Sequence, residues 1–161
     1  MLNATLCMNP TSIAPRVALL PSMALGAAGT CALIPRERFN LGNGMMNCSE
    51  AVVRWCRIKN DESRCQLVPV RPLDDLLRSL PRLWDRTPHD TVVVKMDIEG
   101  SECAAMESGQ SLFTRVRPEL ILAEASQPHV RECLEAQARA HGYNVSRPSG
   151  RDQNVVLYRA A

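Results

Sequence analysis

The chain has 161 residues, of which 45% are hydrophobic and 22% are charged, and this balance excludes wholesale disorder. Its net charge is only +2 and no basic run interleaves with aromatic residues, so the composition excludes a nucleic-acid groove. This length suits one domain of ordinary size, and we therefore expect residues 1–161 to form a single domain.

The first half of the chain gives weak local signals. We predict a short helix over residues 2–8. A dense turn signal over residues 39–44 combines asparagine with glycine. Short apolar runs, some separated by polar turns, are typical of strands. The predicted strands of this half are residues 17–20, 30–34, 52–58 and 65–70.

From Pro72 onward the pattern is regular. Leucines at helical spacing follow Pro72, with Asp74 and Asp75 in the first turn, where the helix dipole favours acidic residues. Two short apolar runs then read as parallel strands buried on both faces, and a helical pattern follows each. The order predicts an α/β fold with an open, mostly parallel sheet and an antiparallel C-terminal strand pair. The predicted strands are residues 91–96, 120–123, 143–146 and 154–158, and the helices are residues 101–113 and 128–141.

Four carboxylates follow the two apolar strands. Asp97, Glu99 and Glu102 come after the first strand, and Glu124 comes after the second. Ligands bind at the carboxyl ends of the strands in open α/β sheets, so we expect these side chains at one sheet edge. Carboxylates held close together repel, so some should have raised pKa values or share a cation.

Two other interpretations of these acids stay open. Ser101 could cap its helix while Glu99 and Glu102 merely complement the helix dipole. Alternatively, Asp97, Glu99 and Glu124 could be ligands of Mg²⁺, which prefers oxygen donors.

The seven cysteines show no C-x-x-C pair and no zinc-type cluster. Their odd number favours reduced, buried thiols over a disulfide framework. We expect a cytoplasmic protein without a membrane span. The secretory pathway is the alternative, because an uncharged segment at residues 17–34 follows Arg16 and three N-x-[ST] sequons begin at Asn3, Asn47 and Asn144.

Several motifs in the second half occur together in a recognisable order. Residues 95–102 read KMDIEGSE and are similar to the K-[IVM]-D-[IV]-E-G-x-E signature of FkbM-type, S-adenosylmethionine-dependent methyltransferases. Residues 73–77 read LDDLL and residues 117–124 read RPELILAE, as the same family has around its signature. A helix ending at Gly142–Tyr143 completes the resemblance, which covers roughly residues 73–158.

This resemblance implies a partial class I methyltransferase fold of Rossmann-like type, with S-adenosylmethionine as cofactor. The family's glycine-rich loop and ribose-binding acid have no counterpart here, so the cofactor-binding residues are unknown. The chain is expected to begin at the helix after the family's second strand. Without the cofactor-binding half of the family's fold, sheet edges would be exposed, which favours self-association.

The implied reaction is methyl transfer to a hydroxyl of a small molecule, such as a sugar or a secondary metabolite. Asp97 is the first candidate for the general base and Glu99 is the second. Glu124 would bind or position the acceptor, and Lys95 would form an ion pair. The alternative is a non-catalytic fragment or a degenerate relative that keeps only the substrate half of the fold. We expect no role for His89 and His129, whereas His141 should lie at a helix C-terminus, where a partial positive charge is favourable.

Overall fold

Two four-stranded sheets organise the part of the chain that the computed structural model describes, which is residues 24–37, 40–61, 63–84, 91–151 and 153–159. The predicted helix at residues 2–8, the predicted strand at residues 17–20 and His89 lie outside these ranges.

The first sheet has the strand order β1-β4-β2-β3. β1 pairs parallel with β4, whereas β2 pairs antiparallel with both β3 and β4. Helix α1 connects β3 to β4. The elements are β1 (Ala24–Leu25), β2 (Gly29–Glu37), β3 (Asn40–Asn47), α1 (Glu50–Lys59) and β4 (Gln66–Arg71).

The second sheet has the order β5-β6-β8-β7, in which β5 and β6 are parallel and the other pairs are antiparallel. Two short helices, α2 (Leu73–Arg78) and α3 (Pro81–Trp84), connect the sheets. The remaining elements are β5 (Val93–Met96), α4 (Glu102–Glu107), a π-helical turn (Leu112–Val116), β6 (Leu120–Ala123), α5 (Pro128–Ala140), β7 (Tyr143–Val145) and β8 (Val155–Arg159).

The main core lies on one face of the second sheet. Alternate strand residues such as Ile121 and Leu157 are fully buried there, together with Met106 of α4 and Leu134 of α5. This burial fixes which strand residues face the helices, because a one-residue slip in register would turn every side chain to the other face.

Part of the opposite face of the second sheet is exposed. Val93, Leu120 and Tyr158 stand in one cross-strand row, and their exposed fractions are 62%, 42% and 40%. Asn144 pairs with Tyr158 and continues the row onto β7, where it is also exposed. The sheet therefore presents an apolar row to solvent that ends at a polar residue on its edge strand.

The α/β class is confirmed, and so is the antiparallel C-terminal pair, formed by β7 and β8. The prediction of a mostly parallel sheet is wrong, because β1–β4 and β5–β6 are the only parallel pairs among the described strands. The short connection between β2 and β3 explains part of the difference, since a connection of this length joins antiparallel strands, whereas parallel strands need a long crossover. The single-domain organisation stays a prediction.

Two local predictions in the first half are also wrong. Residues 52–58 belong to helix α1 instead of a strand, and the predicted turn at residues 39–44 falls largely within β3. Helix α1 starts with Glu50 in its first turn and ends with Arg57 and Lys59 in its last turn. These charges complement the helix dipole and favour the helix over an extended strand.

The prediction of reduced thiols is wrong for six of the seven cysteines, which form three disulfides. Cys103–Cys133 joins α4 to α5, which lie on the buried side of the second sheet. The odd count concealed this pattern, because Cys7, the seventh cysteine, lies outside the described residues. The other two bonds, in and around the first sheet, are Cys31–Cys48 and Cys56–Cys65.

None of the helices in the described ranges combines the length and the apolar character needed to cross a bilayer. Part of the uncharged segment at residues 17–34 is instead built into β1 and β2. Strands of a packed sheet account for the hydropathy of that part.

Candidate active site

The carboxyl end of β5 turns sharply before α4 begins. Glu99 and Gly100 both have positive φ angles, 55° and 93°. A Cβ atom at Gly100 would stand 2.5 Å from Nε2 of Gln127, the residue before α5. Glycine is therefore favoured at this position both by the backbone conformation and by the close approach of Gln127.

Parallel pairing of β5 with β6 brings the two strand ends together. Met96 pairs with Ala123, and the Glu124 amide donates a hydrogen bond to the Met96 carbonyl at 3.3 Å. As a result, one carboxylate oxygen each from Asp97, Glu99 and Glu124 lie within 4.8 Å of one another. The structure thus places the three predicted site residues in one cluster, which we call the acidic cluster.

Lys95 contributes a positive charge to the acidic cluster. Its Nζ atom lies 2.7 Å from Oδ2 of Asp97, so the ion pair expected for this lysine is present. The hydrogen bond to Asp97, reinforced by the charge of the carboxylate, raises the pKa of Lys95. Lys95 therefore stays protonated at neutral pH and orients one oxygen of Asp97.

Glu102 has a different environment from the three clustered acids. Its side chain is fully buried, and Oε1 accepts a hydrogen bond from the Ile98 amide at 3.0 Å, which closes the turn. Among the described residues, Oε2 has no hydrogen-bond partner. Burial, and to a smaller degree the charge of Glu124, raises the pKa of Glu102. The sequence predicted a raised pKa among these acids from repulsion, but the larger cause is burial.

We expect Glu102→Gln to flatten the dependence of stability on pH. Folded Glu102 binds its proton more tightly than the unfolded chain does, so the contribution of Glu102 to stability is greatest below the ordinary pKa near 4.5. This contribution is lost as pH rises through the raised folded pKa. Glutamine keeps the acceptor for the Ile98 amide but does not titrate. Urea unfolding at a series of pH values measures the difference.

Glu107→Gln is the matched control, because Glu107 belongs to the same helix but is exposed. The control should keep the wild-type pH dependence. If Glu102→Gln kept it too, Glu102 would not be the titrating group.

A polar cleft of about 380 Å³ opens next to the acidic cluster. Ser126 connects the two, because it lines the cleft and its hydroxyl donates a hydrogen bond to Oε1 of Glu124 at 2.7 Å. Arg131 and Glu135 form an ion pair at 3.0 Å on the cleft wall. The described part of the lining has no aromatic residue and consists of Ala125, Ser126, Pro128, Arg131, Glu132, Glu135 and Gln153.

The described residues do not fit a nucleoside-binding loop. Gly26 and Gly29 follow strand β1, but the chain runs from them into strand β2. A glycine-rich cofactor loop leads instead into a helix whose amide groups face the ligand. Within the described ranges, neither this turn nor another strand end has that arrangement. Within the described residues, the acidic cluster at the ends of β5 and β6 is therefore not accompanied by a glycine-rich loop of this kind.

The two described histidines have no contact with the acidic cluster. His129 is exposed in the first turn of α5. His141 follows the last residue of α5, as predicted, and its ring stacks on Phe113 with the centroids 4.5 Å apart. This stacking gives His141 a packing role.

Sequence reasoning missed the burial of Glu102 and the cleft beside Ser126. A glutamate directly after a helix start usually faces solvent, and only the hydrogen bond to Ile98 shows that this one turns inward. The cleft is formed by residues of α5 and of the β7–β8 connection that are far apart in sequence. Tertiary packing alone brings them together.

Comparison with known families shows a match to a methyltransferase family. The sequence model of the methyltransferase FkbM domain matches residues 40–145, which is more than half of the chain and includes the whole acidic cluster. No curated protein and no solved structure matches the chain.

Proposed function

Because the chain belongs to the FkbM methyltransferase family, we propose that it takes part in methyl transfer from S-adenosylmethionine to a hydroxyl oxygen of a small polar acceptor. The observation that carries the proposal is the acidic cluster at the carboxyl ends of two parallel strands. Such strand ends are the usual place for ligands in α/β sheets. The class I methyltransferase fold is part of the same proposal.

Asp97 is the residue that we assign as general base. A hydroxyl is a weak nucleophile, so a positioned carboxylate has to accept its proton as the new bond forms. Lys95 holds Oδ2 of Asp97, which leaves Oδ1 to receive the proton. Glu99 is the second candidate for this role, since it shares the acidic cluster.

Glu124 is assigned to acceptor binding. It stands between the acidic cluster and the polar cleft, and Ser126 fixes one of its oxygens. The other oxygen can accept a hydrogen bond from an acceptor hydroxyl. Lys95 supplies the positive charge that a shared metal ion would otherwise provide near these acids.

The cleft favours a polyhydroxylated acceptor such as a sugar. Its wall carries both charge signs and hydrogen-bonding groups, and its described lining has no aromatic face on which a planar ligand could stack. The methyl donor, when bound, supplies an electrophilic sulfonium methyl group. The residues described here orient the acceptor and remove its proton.

We expect the isolated 161-residue chain to bind S-adenosylmethionine no more tightly than about 1 mM, or about −4 kcal/mol. The reason is that the glycines at 26 and 29 lead into a strand and cannot place a helix N-terminus at the nucleoside. Isothermal titration calorimetry measures the affinity directly.

Micromolar binding in that titration would show that the chain builds a nucleoside site after all. Absence of methyl transfer in the longest natural form of the protein, despite tight cofactor binding, would instead favour the non-catalytic alternative. The methyl-transfer assay uses labelled S-adenosylmethionine with a panel of sugars.

A further inference from the structure

The disulfides point to an oxidising environment during folding. All six cysteines of the described residues are paired, and each bond joins different parts of the fold. Such bonds form and persist in secretory compartments and are rare in the cytosol, where thiols are kept reduced. This observation is independent of the methyl-transfer proposal and opposes the cytoplasmic expectation.

We propose that the chain folds in an oxidising secretory compartment and that Asn144 carries an N-linked glycan. Residues 144–146 read N-V-S, which is the acceptor pattern for this modification. The side-chain nitrogen of Asn144 forms a bond to C1 of a lipid-pyrophosphate-linked oligosaccharide. The C1–O bond breaks, the lipid pyrophosphate leaves with the electron pair, and the amide loses one proton.

The position of Asn144 suits a bulky polar group. It lies on β7, which is an edge strand of the second sheet, and its side chain is exposed. It also ends the exposed row formed by Val93, Leu120 and Tyr158. Neighbouring strands are about 5 Å apart, so a glycan on Asn144 would start about 5 Å from Tyr158 and lie over the apolar row.

The other described sequon leaves less room for a glycan once the chain has folded. Asn47 is half-buried in β3, and its Oδ1 accepts a hydrogen bond from the Ser49 amide at 2.9 Å. The middle residue of that sequon is Cys48, which is tied to Cys31 by a disulfide. The third sequon begins at Asn3, outside the described residues.

The glycan has to be attached before the last strand pair forms. In the folded chain the Ser146 hydroxyl accepts a hydrogen bond from the Val156 amide at 2.9 Å and donates one to the Arg147 carbonyl. The hydroxyl of a sequon has to be available to the transferase. If the glycan is attached during translocation, before β8 pairs with β7, the Ser146 hydroxyl is still available.

The test uses the full chain recovered from cells that naturally make it. Peptide-N-glycosidase converts a glycan-bearing asparagine to aspartate, and peptide mass spectrometry locates the change. We expect conversion at Asn144. Among variants made in the same cells, Asn144→Gln should lose the gel shift on deglycosylation, whereas Asn47→Gln and the conservative Ser146→Thr should keep it.

A thiol count is the second readout. Alkylation of the unreduced, denatured chain should label at most Cys7. Unmodified Asn144 in the natural chain, or a gel shift of unchanged size in Asn144→Gln, would overturn the glycan assignment. Labelling of most of the seven cysteines would overturn the proposal that the chain folds in an oxidising secretory compartment. Asn144 is exposed, so loss of folding is not expected to obscure the result.

Discussion

Asp97→Asn is expected to lower the turnover of methyl transfer by about 10²–10⁴-fold, which is the usual contribution of a general base. Asparagine keeps the size of the side chain and an oxygen for Lys95, but it cannot accept the acceptor's proton at neutral pH. Binding of S-adenosylmethionine should stay largely unchanged. The measurement is kcat and cofactor affinity in the longest natural form of the protein that binds the cofactor.

Asp75→Asn is the matched control for this substitution. Asp75 is an exposed acid paired with Arg78 at 2.7 Å, just as Asp97 is paired with Lys95 at 2.7 Å. The control removes an equivalent surface ion pair away from the acidic cluster, and such pairs contribute little to stability. Equal turnover in wild type and Asp97→Asn would remove Asp97 from the mechanism. Loss of turnover in both variants would point to a general effect of charge.

The second large effect is expected from the disulfide between α4 and α5. Replacing Cys103 and Cys133 together by alanine should lower the free energy of unfolding by about 3–4 kcal/mol. The bond closes a loop of 30 residues, and removing it gives the unfolded chain more conformational freedom. Denaturant unfolding of both forms without reductant measures the difference.

Replacing Cys56 and Cys65 by alanine provides the comparison within the same chain. That bond spans only 9 residues, so the expected loss is smaller, about 2–3 kcal/mol. A Cys103/Cys133 variant as stable as the wild type would show that the helices hold together without the bond. A larger loss from the shorter loop would contradict the loop-length explanation.

The second half of the fold could be predicted from the sequence because each signal there is local. Apolar runs followed by acidic residues predicted β5 and β6. Pro128 and Gly142 predicted the start and the end of α5. The chain order of these elements then placed Asp97 next to Glu124. Parallel neighbours align their carboxyl ends, so the acidic cluster follows from connectivity without knowledge of distant contacts.

The first half could be predicted only in part. The predicted strands at residues 30–34 and 65–70 correspond to β2 and β4, but the other signals are ambiguous at short range. The apolar residues of α1 suit a strand as well as a helix, and its sheet depends on pairing between segments distant in sequence. The disulfides share this limit, since spacing along the chain does not show which cysteines approach in space. The inward turn of Glu102 likewise depends on packing between α4 and the strand before it.

The row of Val93, Leu120 and Tyr158 has a practical consequence for handling the protein. Two chains whose apolar rows are exposed can bury them by associating face to face. Aggregation should therefore increase with protein concentration. Sulfate and other salts excluded from protein surfaces strengthen apolar contacts and would worsen it. Material made in a bacterial host, without any sugar at the end of the row, would suffer most.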